Sequence, residues 1–261
     1  MNIKKLGPVG AEISGIDLSI VDNLPADKIL EAFLKYSVLI FKNQNLDPIS
    51  LSKIALIWGK PLIHPVFKGI EEHPEIIEIQ NLGEKYHTNA HWHSDVTFES
   101  EPPDATLLYS LEIPDEGGDT LFSNQYLAYE GLDELLREEL ENRKVIHSNL
   151  GVLILAGGDR EDEKEVEHPI FRTYPISHRK ALYVTEAFVK SIKDLEPIKS
   201  QEILSKLYKQ SCDEKYIYRH KWSQGDLVVW DNRCVLHYAE HGYGDKKRTM
   251  HRITTAGSKP F

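Results

Sequence analysis

Short apolar runs alternate with polar, turn-forming segments along most of the chain. Six of these runs are rich in β-branched or aromatic residues and are bounded by Pro, Gly or Asp, as is typical of β-strands. The predicted strands are Val38–Phe41, Ile76–Gln80, Thr106–Glu112, Ala181–Thr185, Leu227–Trp230 and Arg248–Thr255.

Four other segments have apolar residues at helical spacing. Asp47 and Pro48 suit the cap and first position of one helix, which Gly59 ends after Trp58. The other predicted helices are Ala26–Tyr36, Tyr126–Glu141 and Glu202–Lys209. Because strands and helices do not alternate regularly, the order disfavours a parallel doubly wound sheet. We therefore predict a mainly β (α+β) fold, a jelly-roll-like barrel with flanking helices.

One segment has almost no apolar residue. Residues 157–167 read GGDREDEKEVE. This composition predicts a solvated loop. The alternative is a mobile lid over a site, because long polar loops in compact domains are often functional.

Composition narrows the function classes. The net charge of −10 disfavours a nucleic-acid-binding protein, which normally needs a clustered basic face. It leaves room for a small anionic substrate, since a local Arg can outweigh the overall charge. The start of the sequence has no apolar run of the kind found in signal peptides, and no stretch has the length of a membrane span. With Cys212 and Cys234 as the only cysteines, we expect a reducing, cytoplasmic location.

The most informative stretch is HWHSDVTF, which begins at His91 and contains His93 and Asp95. In a strand, alternation would place His93 and Asp95 on one face, able to bind one ion together. Three interpretations compete: a polar strand face without a ligand, a dizinc hydrolase, and a 2-His-1-carboxylate iron site. The dizinc pattern lacks its final His, because Val96 stands there.

The iron interpretation requires a second His from elsewhere, and an Arg if the cosubstrate is a dicarboxylate. The C-terminal region contains both. The predicted strand Leu227–Trp230 leads into the sequence DNR, and His237 follows shortly after. The last predicted strand places Arg248 and Arg252 on one face, an unusual density of positive charge for a strand.

These segments together resemble the TauD/TfdA (taurine dioxygenase) family of iron(II)- and 2-oxoglutarate-dependent oxygenases. The combination of WHSDVTF with WDNRxxxH and a following Arg is highly specific. The matching stretches run from one end of the chain to the other: GAEISGIDLS, SVLIFKNQ, PLIHPVF, NAHWHSDVTF, GGDTLF, HPIFRTYPISHRKALYV, WDNRCVLHYA and RTMHRIT. The resemblance implies one dioxygenase domain over residues 1–261, with a double-stranded β-helix (cupin-like) core.

The resemblance also implies roles for individual residues. His93, Asp95 and His237 would be the catalytic iron ligands, and His91 would not be a ligand. Thr120 and Arg248 would bind the distal carboxylate of 2-oxoglutarate. The implied substrate site comprises His64, Phe67, Asn89, Val96, Phe98, Phe188 and Arg252, in which His64 and Arg252 hold an anionic head group.

The implied reaction consumes O₂ and 2-oxoglutarate, hydroxylates a small anionic substrate such as taurine or another sulfonate or sulfate, and releases succinate and CO₂. Phe67 stands where the taurine-specific pattern has Tyr, so the hydroxyl that would bind a polar amino group is missing. Two alternatives stay open: a tailoring oxygenase acting on a carboxylate or amino-acid-derived product, and a non-catalytic binding protein with a retained metal site. Relatives often form dimers or tetramers, so a homo-oligomer is expected.

Overall fold

The computed structural model describes residues 1–65, 67–81 and 91–261. Its helices are short apart from the first and the last. They are α1 (Ala26–Tyr36), α2 (Pro48–Ala55), α3 (Gln125–Glu130), α4 (Glu134–Leu140), α5 (Leu150–Leu155) and α6 (Pro197–Ser211). Within the described ranges, no helix has both the length and the apolar character needed to cross a membrane.

Strands make up most of the regular structure. They are β1 (Asn2–Lys5), β2 (Ala11–Ser14), β3 (Val38–Phe41), β4 (Ile77–Gln80), β5 (Ala105–Glu112), β6 (Thr120–Asn124), β7 (Lys144–Ser148), β8 (Glu165–Pro169), β9 (Phe171–Thr173), β10 (Lys180–Leu182), β11 (Val189–Ile192), β12 (Ile217–His220), β13 (Leu227–Asp231), β14 (Val235–Ala239) and β15 (Thr249–Thr254).

The strands form one large sheet and three small ones. The large sheet has seven strands in the order β1-β2-β3-β13-β5-β15-β4. Neighbouring strands within this sheet are antiparallel, except for the parallel pair β2 and β3. A second sheet has the order β12-β6-β14, and the remaining strands pair as β11-β7-β8 and β10-β9.

The two central strands of the large sheet explain the layering. Every residue of β3 and β13 is buried, because both faces of the sheet are covered. Leu39 and Phe41 pack on the side of α1 and α2, in a cluster that includes Phe33. The alternate residues Val38 and Ile40 pack in the second cluster, together with residues of β6 and β14. Two facing sheets with helices outside form the predicted mainly β jelly-roll.

The bounds of several elements match the predictions. α1 and β3 have the predicted residues. α2 begins as expected, since the Asp47 side chain accepts a hydrogen bond from the backbone N–H of Ser50 at 2.7 Å. The predicted strand Ala181–Thr185 is shorter and shifted, at Lys180–Leu182.

The predicted helix Tyr126–Glu141 is wrong as a single element. The chain divides it into α3 and α4, and Gly131 ends the first of them. Asp133 then begins the second, because its side chain accepts a hydrogen bond from the backbone N–H of Leu136 at 3.1 Å. A new cap within an amphipathic stretch outweighs the continuous helical periodicity. The predicted helix Glu202–Lys209 is the middle of the longer α6.

The polar segment 157–167 is only partly a loop. Residues 157–162 are exposed and contain a single 3₁₀ turn, Arg160–Asp162. The segment then enters β8, which pairs with β7. The polar segment directly follows α5 in the sequence.

Candidate active site

His93, Asp95 and His237 come together at a buried point between the two facing sheets. One potential ligand atom from each lies within 4.8 Å of the other two, and among the described residues no other group of His, Cys, Asp or Glu meets that criterion. The Oδ1 atom of Asp95 lies 3.9 Å from Nε2 of His93 and 3.7 Å from Nε2 of His237. The three side chains therefore converge on one position.

Backbone pairing places the two histidines. His237 lies on β14, whose partner strand is β6. His93 forms an isolated antiparallel bridge with His237, in which the backbone N–H of each residue donates to the carbonyl of the other at 3.0 and 2.8 Å. The distant segment that contains His93 is thus fixed directly to the strand that contains His237.

Asp95 does not reach the site in the way we predicted. The stretch from His91 is not a regular strand, and residues 95–98 form a turn. Val96 has a backbone φ of 52°, in the left-handed region that β-branched residues rarely adopt. Such strain persists only where the surroundings hold it, and it is concentrated at functional sites. The turn, and not strand alternation, directs the Asp95 carboxylate toward the histidines.

The orientation of His93 is set by a hydrogen bond to its own segment. Its Nδ1 lies 2.8 Å from the carbonyl oxygen of His91, so Nδ1 must carry the proton and donate. The unprotonated Nε2 then faces Asp95 and His237, as in metal-bound histidines whose other nitrogen donates to a carbonyl. His91 itself is exposed, and its side chain is outside the cluster.

The protonation states suit a metal. Burial lowers the pKa of both His93 and His237 below the usual imidazole range. Burial opposes ionisation of Asp95, but the nearby guanidinium of Arg252, the two imidazoles and the Thr106 hydroxyl hold the pKa of its carboxyl well below the usual range. Neutral imidazoles and an ionised carboxylate are the forms that bind metals. Two histidines and one carboxylate are the donor set of non-haem iron(II) sites.

A cleft next to the cluster contains the residues predicted for the cosubstrate. It is lined by Ile79, His93, Leu108, Thr120, Trp230, His237, Ala239, Arg248 and Arg252. Arg248 is buried, and its Nε has no hydrogen-bond partner within the described part of the chain. Gly118, with φ of +74°, allows the backbone to pass close by, since a Cβ there would lie 3.2 Å from that Nε. A buried guanidinium with an unused donor suits a carboxylate.

Of the two predicted head-group residues, Arg252 lines the same cleft, whereas His64 is not among its lining residues. Nη2 of Arg252 is 2.7 Å from Oδ1 of Asp95. His64 is buried, and its Nδ1 accepts the backbone N–H of Phe67 at 3.1 Å, which places the proton on Nε2. Burial lowers the pKa of His64 to about 4, so the ring is neutral near pH 7.

The predicted apolar residues are divided between two places. Phe98 is buried against Phe188, with ring centroids 5.3 Å apart, and Val96 is buried in the turn. Phe67 packs beside the His64 ring at 5.0 Å and leaves 42% of its surface exposed. Asn89 lies outside the described residues.

A cavity of about 410 Å³ opens on the other side of His93. Its lining is mainly apolar, with residues from α5 and from the segment before β11: His91, His93, Gly151, Val152, Leu155, Glu186, Ala187 and Phe188. α5 is not among the predicted helices. Its apolar run LGVLIL, directly before the polar segment 157–167, was the available signal.

Comparisons with known proteins show the family and the fold. A family model, "Taurine catabolism dioxygenase TauD, TfdA family", matches residues 2–254. An alkylsulfatase of Acinetobacter baylyi is 33% identical over 98% of this chain and 85% of its own length. An alpha-ketoglutarate-dependent sulfate ester dioxygenase of Pseudomonas putida is 33% identical over 97% of this chain and 88% of its own length. The crystal structure of a taurine dioxygenase from Burkholderia xenovorans superposes with a TM-score of 0.87 at 31% identity, covering 99% of this chain and 90% of that one. This likeness confirms the predicted fold class.

Proposed function

The chain belongs to the TauD, TfdA family of taurine catabolism dioxygenases, and on that basis we propose that it hydroxylates a small organic anion with O₂ and 2-oxoglutarate, releasing succinate and CO₂. His93, Asp95 and His237 would hold iron(II). The bound iron, with O₂ and 2-oxoglutarate, supplies the oxidant for a C–H bond, and the protein supplies binding, orientation and shielding.

One observation carries the proposal: the cleft that contains Thr120 and Arg248 is also lined by His93 and His237. A dicarboxylate whose far end is held by Arg248 would place its other end beside the metal ligands. Burial lowers the pKa of the Arg248 guanidinium, with a partly opposing effect from Tyr243, so a bound anion would relieve an unfavourable desolvated charge.

The substrate would be a sulfate ester or a sulfonate. Arg252 supplies a cation next to Asp95, and the proton on Nε2 makes His64 a donor for an anionic head group. Two similar proteins are named as an alkylsulfatase and a sulfate ester dioxygenase. Phe67 has no hydroxyl to bind a polar group on the substrate tail and would offer an apolar surface instead. Taurine, whose tail ends in an amino group, would therefore be a poor substrate.

The tail of the substrate would extend into the cavity beside His93. Val152 and Leu155 of α5, together with Phe188, give this cavity an apolar lining. An alkyl chain would bury its surface there, at about 25 cal/mol per Å² removed from water. The exposed residues 157–162 follow α5, and we propose that both move together as a lid when substrate binds.

We place the protein in the cytoplasm as a homo-oligomer, either a dimer or a tetramer. Sedimentation velocity of the purified protein tests the oligomer, and a monomer at micromolar concentration would contradict it.

The decisive experiment measures cosubstrate binding and turnover separately. Anaerobic addition of iron(II) and 2-oxoglutarate should produce a weak visible charge-transfer band, and substrate-dependent formation of succinate then distinguishes an enzyme from a non-catalytic binding protein with a retained metal site. Succinate is then measured after adding O₂ and a panel of alkyl sulfates, alkyl sulfonates, taurine, and carboxylates. Strong stimulation by a sulfate or sulfonate supports the proposal. Stimulation by carboxylates or amino-acid derivatives alone would indicate a tailoring oxygenase.

A further inference from the structure

The two carboxylate oxygens of Asp95 have different surroundings. Oδ1 faces Nε2 of His93 and Nε2 of His237, and it also lies 2.7 Å from Nη2 of Arg252. Oδ2 points the opposite way, into the large sheet, where the Thr106 hydroxyl donates a hydrogen bond to it at 2.6 Å. One oxygen is therefore directed to the proposed metal, and the other is held by a strand of the fold.

The direction of this hydrogen bond follows from its neighbours. The indole N–H of Trp230 can only donate, and it lies 3.0 Å from the side-chain oxygen of Asn232. That contact fixes which end of the amide is oxygen. The Nδ2 group of Asn232 must then be the atom 2.8 Å from Oγ1 of Thr106, to which it donates. Thr106 has one hydrogen, and this arrangement leaves Oδ2 of Asp95 as its acceptor.

Backbone contacts hold the three donors, Trp230, Asn232 and Thr106, in place. The register of β13 on β5 sets Trp230 opposite Thr106. The backbone N–H of Asn232 donates to the carbonyl of Asp104 at 2.9 Å, and the Ser94 hydroxyl donates to the carbonyl of Asn232 at 2.6 Å. Asn232 is thereby tied both to the sheet and to the segment that contains the ligands.

Water does not compete with these bonds. Thr106 is fully buried, and Trp230 and Asn232 are each 1% exposed. A buried polar group that loses its partner cannot recover a hydrogen bond from solvent. Each hydrogen bond in this series therefore depends on the next one. The series runs from Trp230 through Asn232 and Thr106 and ends at Oδ2 of Asp95.

We propose that Thr106 and Asn232 are positioning residues that hold Asp95 as a ligand through Oδ1 alone. The inference rests on the proposed function, because it takes Asp95 to be the carboxylate ligand. The guanidinium of Arg252 can pair with either oxygen, so without the donor on Oδ2 the carboxylate could rotate about its last bond and present either oxygen to the metal. Residues that orient metal ligands in this way affect both metal affinity and the geometry of the site.

Metal binding to the apoprotein tests the proposal without turnover. Zn²⁺ affinity is measured by calorimetry, and the visible spectrum of the Co²⁺ form reports its coordination. Thr106→Val keeps the side-chain shape and removes the hydroxyl, and it should weaken Zn²⁺ binding roughly 10- to 100-fold and alter the Co²⁺ spectrum. Thr106→Ser restores a hydroxyl and should restore both readouts.

The chain offers a matched control. Thr254 lies opposite Thr106 on β15 and is also buried. Thr254→Val makes the same chemical change one strand away, and it should leave Zn²⁺ affinity and the Co²⁺ spectrum unchanged. Equal losses in both valine variants would mean that the effect is a general disturbance of the sheet, and this would overturn the proposal.

A double-mutant cycle tests the role of Asn232. If Asn232 acts through Thr106, Asn232→Ala should weaken metal binding in the unmodified protein but have little further effect in the Thr106→Val background. If the two substitutions instead weaken metal binding independently, so that their fold-losses multiply in the double variant, the proposed role of Asn232 is wrong. Where Asn232→Ala fails to fold, as judged by circular dichroism, the two Thr106 variants and the Thr254 control decide the outcome alone.

The proposed function and this inference fail in different ways. His237→Ala should abolish Zn²⁺ binding if the ligand assignment holds. An unmodified protein that binds no divalent metal, or a His237→Ala variant that binds it normally, would overturn both. Normal metal binding and succinate production by Thr106→Val would overturn the positioning role and leave the proposed function intact.

Discussion

The indole N–H of Trp222 donates a hydrogen bond to Oγ1 of Thr120 at 2.9 Å, and both side chains are buried. A tryptophan N–H can only donate, so the Thr120 hydroxyl accepts from it and keeps its own hydrogen for another acceptor. Thr120 and Arg248 line the same cleft. The contact therefore prepares Thr120 to donate to an anion bound there.

Trp222→Phe should weaken cosubstrate binding selectively. Phe keeps most of the aromatic packing but leaves the Thr120 hydroxyl without its donor. We expect the KM for 2-oxoglutarate to rise by up to roughly tenfold, because a hydrogen bond between neutral groups contributes about 0.5–1.5 kcal/mol. The KM for the organic substrate should change little. In a Thr120→Val background the substitution should have almost no further effect, and a full effect there would show that Trp222 does not act through Thr120.

Arg248→Lys should also raise the KM for 2-oxoglutarate much more than that for the organic substrate. Lys keeps the charge but loses the planar, two-pronged donor geometry that matches a carboxylate. Arg252→Lys is the matched comparison, since Arg252 lies in β15, which begins directly after Arg248, and it should have the reverse preference. If the two variants change both KM values alike, the assignment of the two arginines is wrong.

His237→Ala and His91→Ala should differ in iron binding. Loss of His237 removes one of three ligands, so iron(II) binding and succinate production should disappear together. The His91 side chain is exposed, and only its backbone carbonyl supports His93, so its replacement by Ala leaves that hydrogen bond possible. Iron content after gel filtration and succinate yield are the two measurements. Loss of iron from the His91 variant would contradict the ligand set.

Two buried histidines behind the turn at Asp95 predict acid sensitivity. Nε2 of His168 lies 3.0 Å from the carbonyls of both Thr97 and Glu99, and His147 lies against the His168 ring. Burial lowers the pKa of His168 to about 4, against the opposing effect of its two carbonyl partners. In the unfolded chain an imidazole titrates near about 6.5.

The sign of the pH dependence follows from proton binding. Between pH 6.5 and 4 the unfolded state holds more protons than the folded state, so folding stability falls as the pH falls through this window. Above it both states are neutral at this position and stability is flat. His168 alone would contribute up to roughly 3 kcal/mol of this loss. His168→Gln keeps a donor but does not titrate, and urea unfolding at pH 7.5, 6 and 5 should show a shallower decline. An unchanged slope would exclude His168 as a source.

The parts of the fold that could be predicted are those set by the pattern of apolar and polar residues within a single segment. The continuous apolar run of β3 has the predicted bounds because both of its faces are buried. β14 was not predicted, because His237 interrupts a strand of only five residues. The spacing of His93, Asp95 and a distant His, together with the family resemblance, predicts the three residues that the structure brings together.

Contacts between distant segments could not be predicted in the same way. Thr106 meets Asn232 only through the pairing of β5 with β13, which the sequence of neither strand specifies. The same limit applies to the turn at Asp95. Its left-handed residue is Val96, and nothing in the local sequence indicates a positive φ at a β-branched position.

Substrate choice provides the last prediction. Phe67 packs against the ring of His64, a proposed head-group residue, so its phenyl ring would lie beside the part of the tail nearest the head group. The cavity lined by Val152 and Leu155 offers an apolar surface to the rest of the molecule. We therefore expect a small anion with an alkyl tail to be turned over better than taurine.

Phe67→Tyr should shift this preference toward taurine. The added hydroxyl would supply one hydrogen bond to the amino group, which contributes about 1 kcal/mol, or roughly fivefold in relative kcat/KM. The measurement is the ratio of kcat/KM for taurine to that for an alkyl sulfonate of similar length. Phe261→Tyr is the control, because Phe261 is an exposed terminal residue and should leave the ratio unchanged. A strong preference for taurine in the unmodified protein, or an equal ratio before and after Phe67→Tyr, would mean that position 67 does not select the substrate.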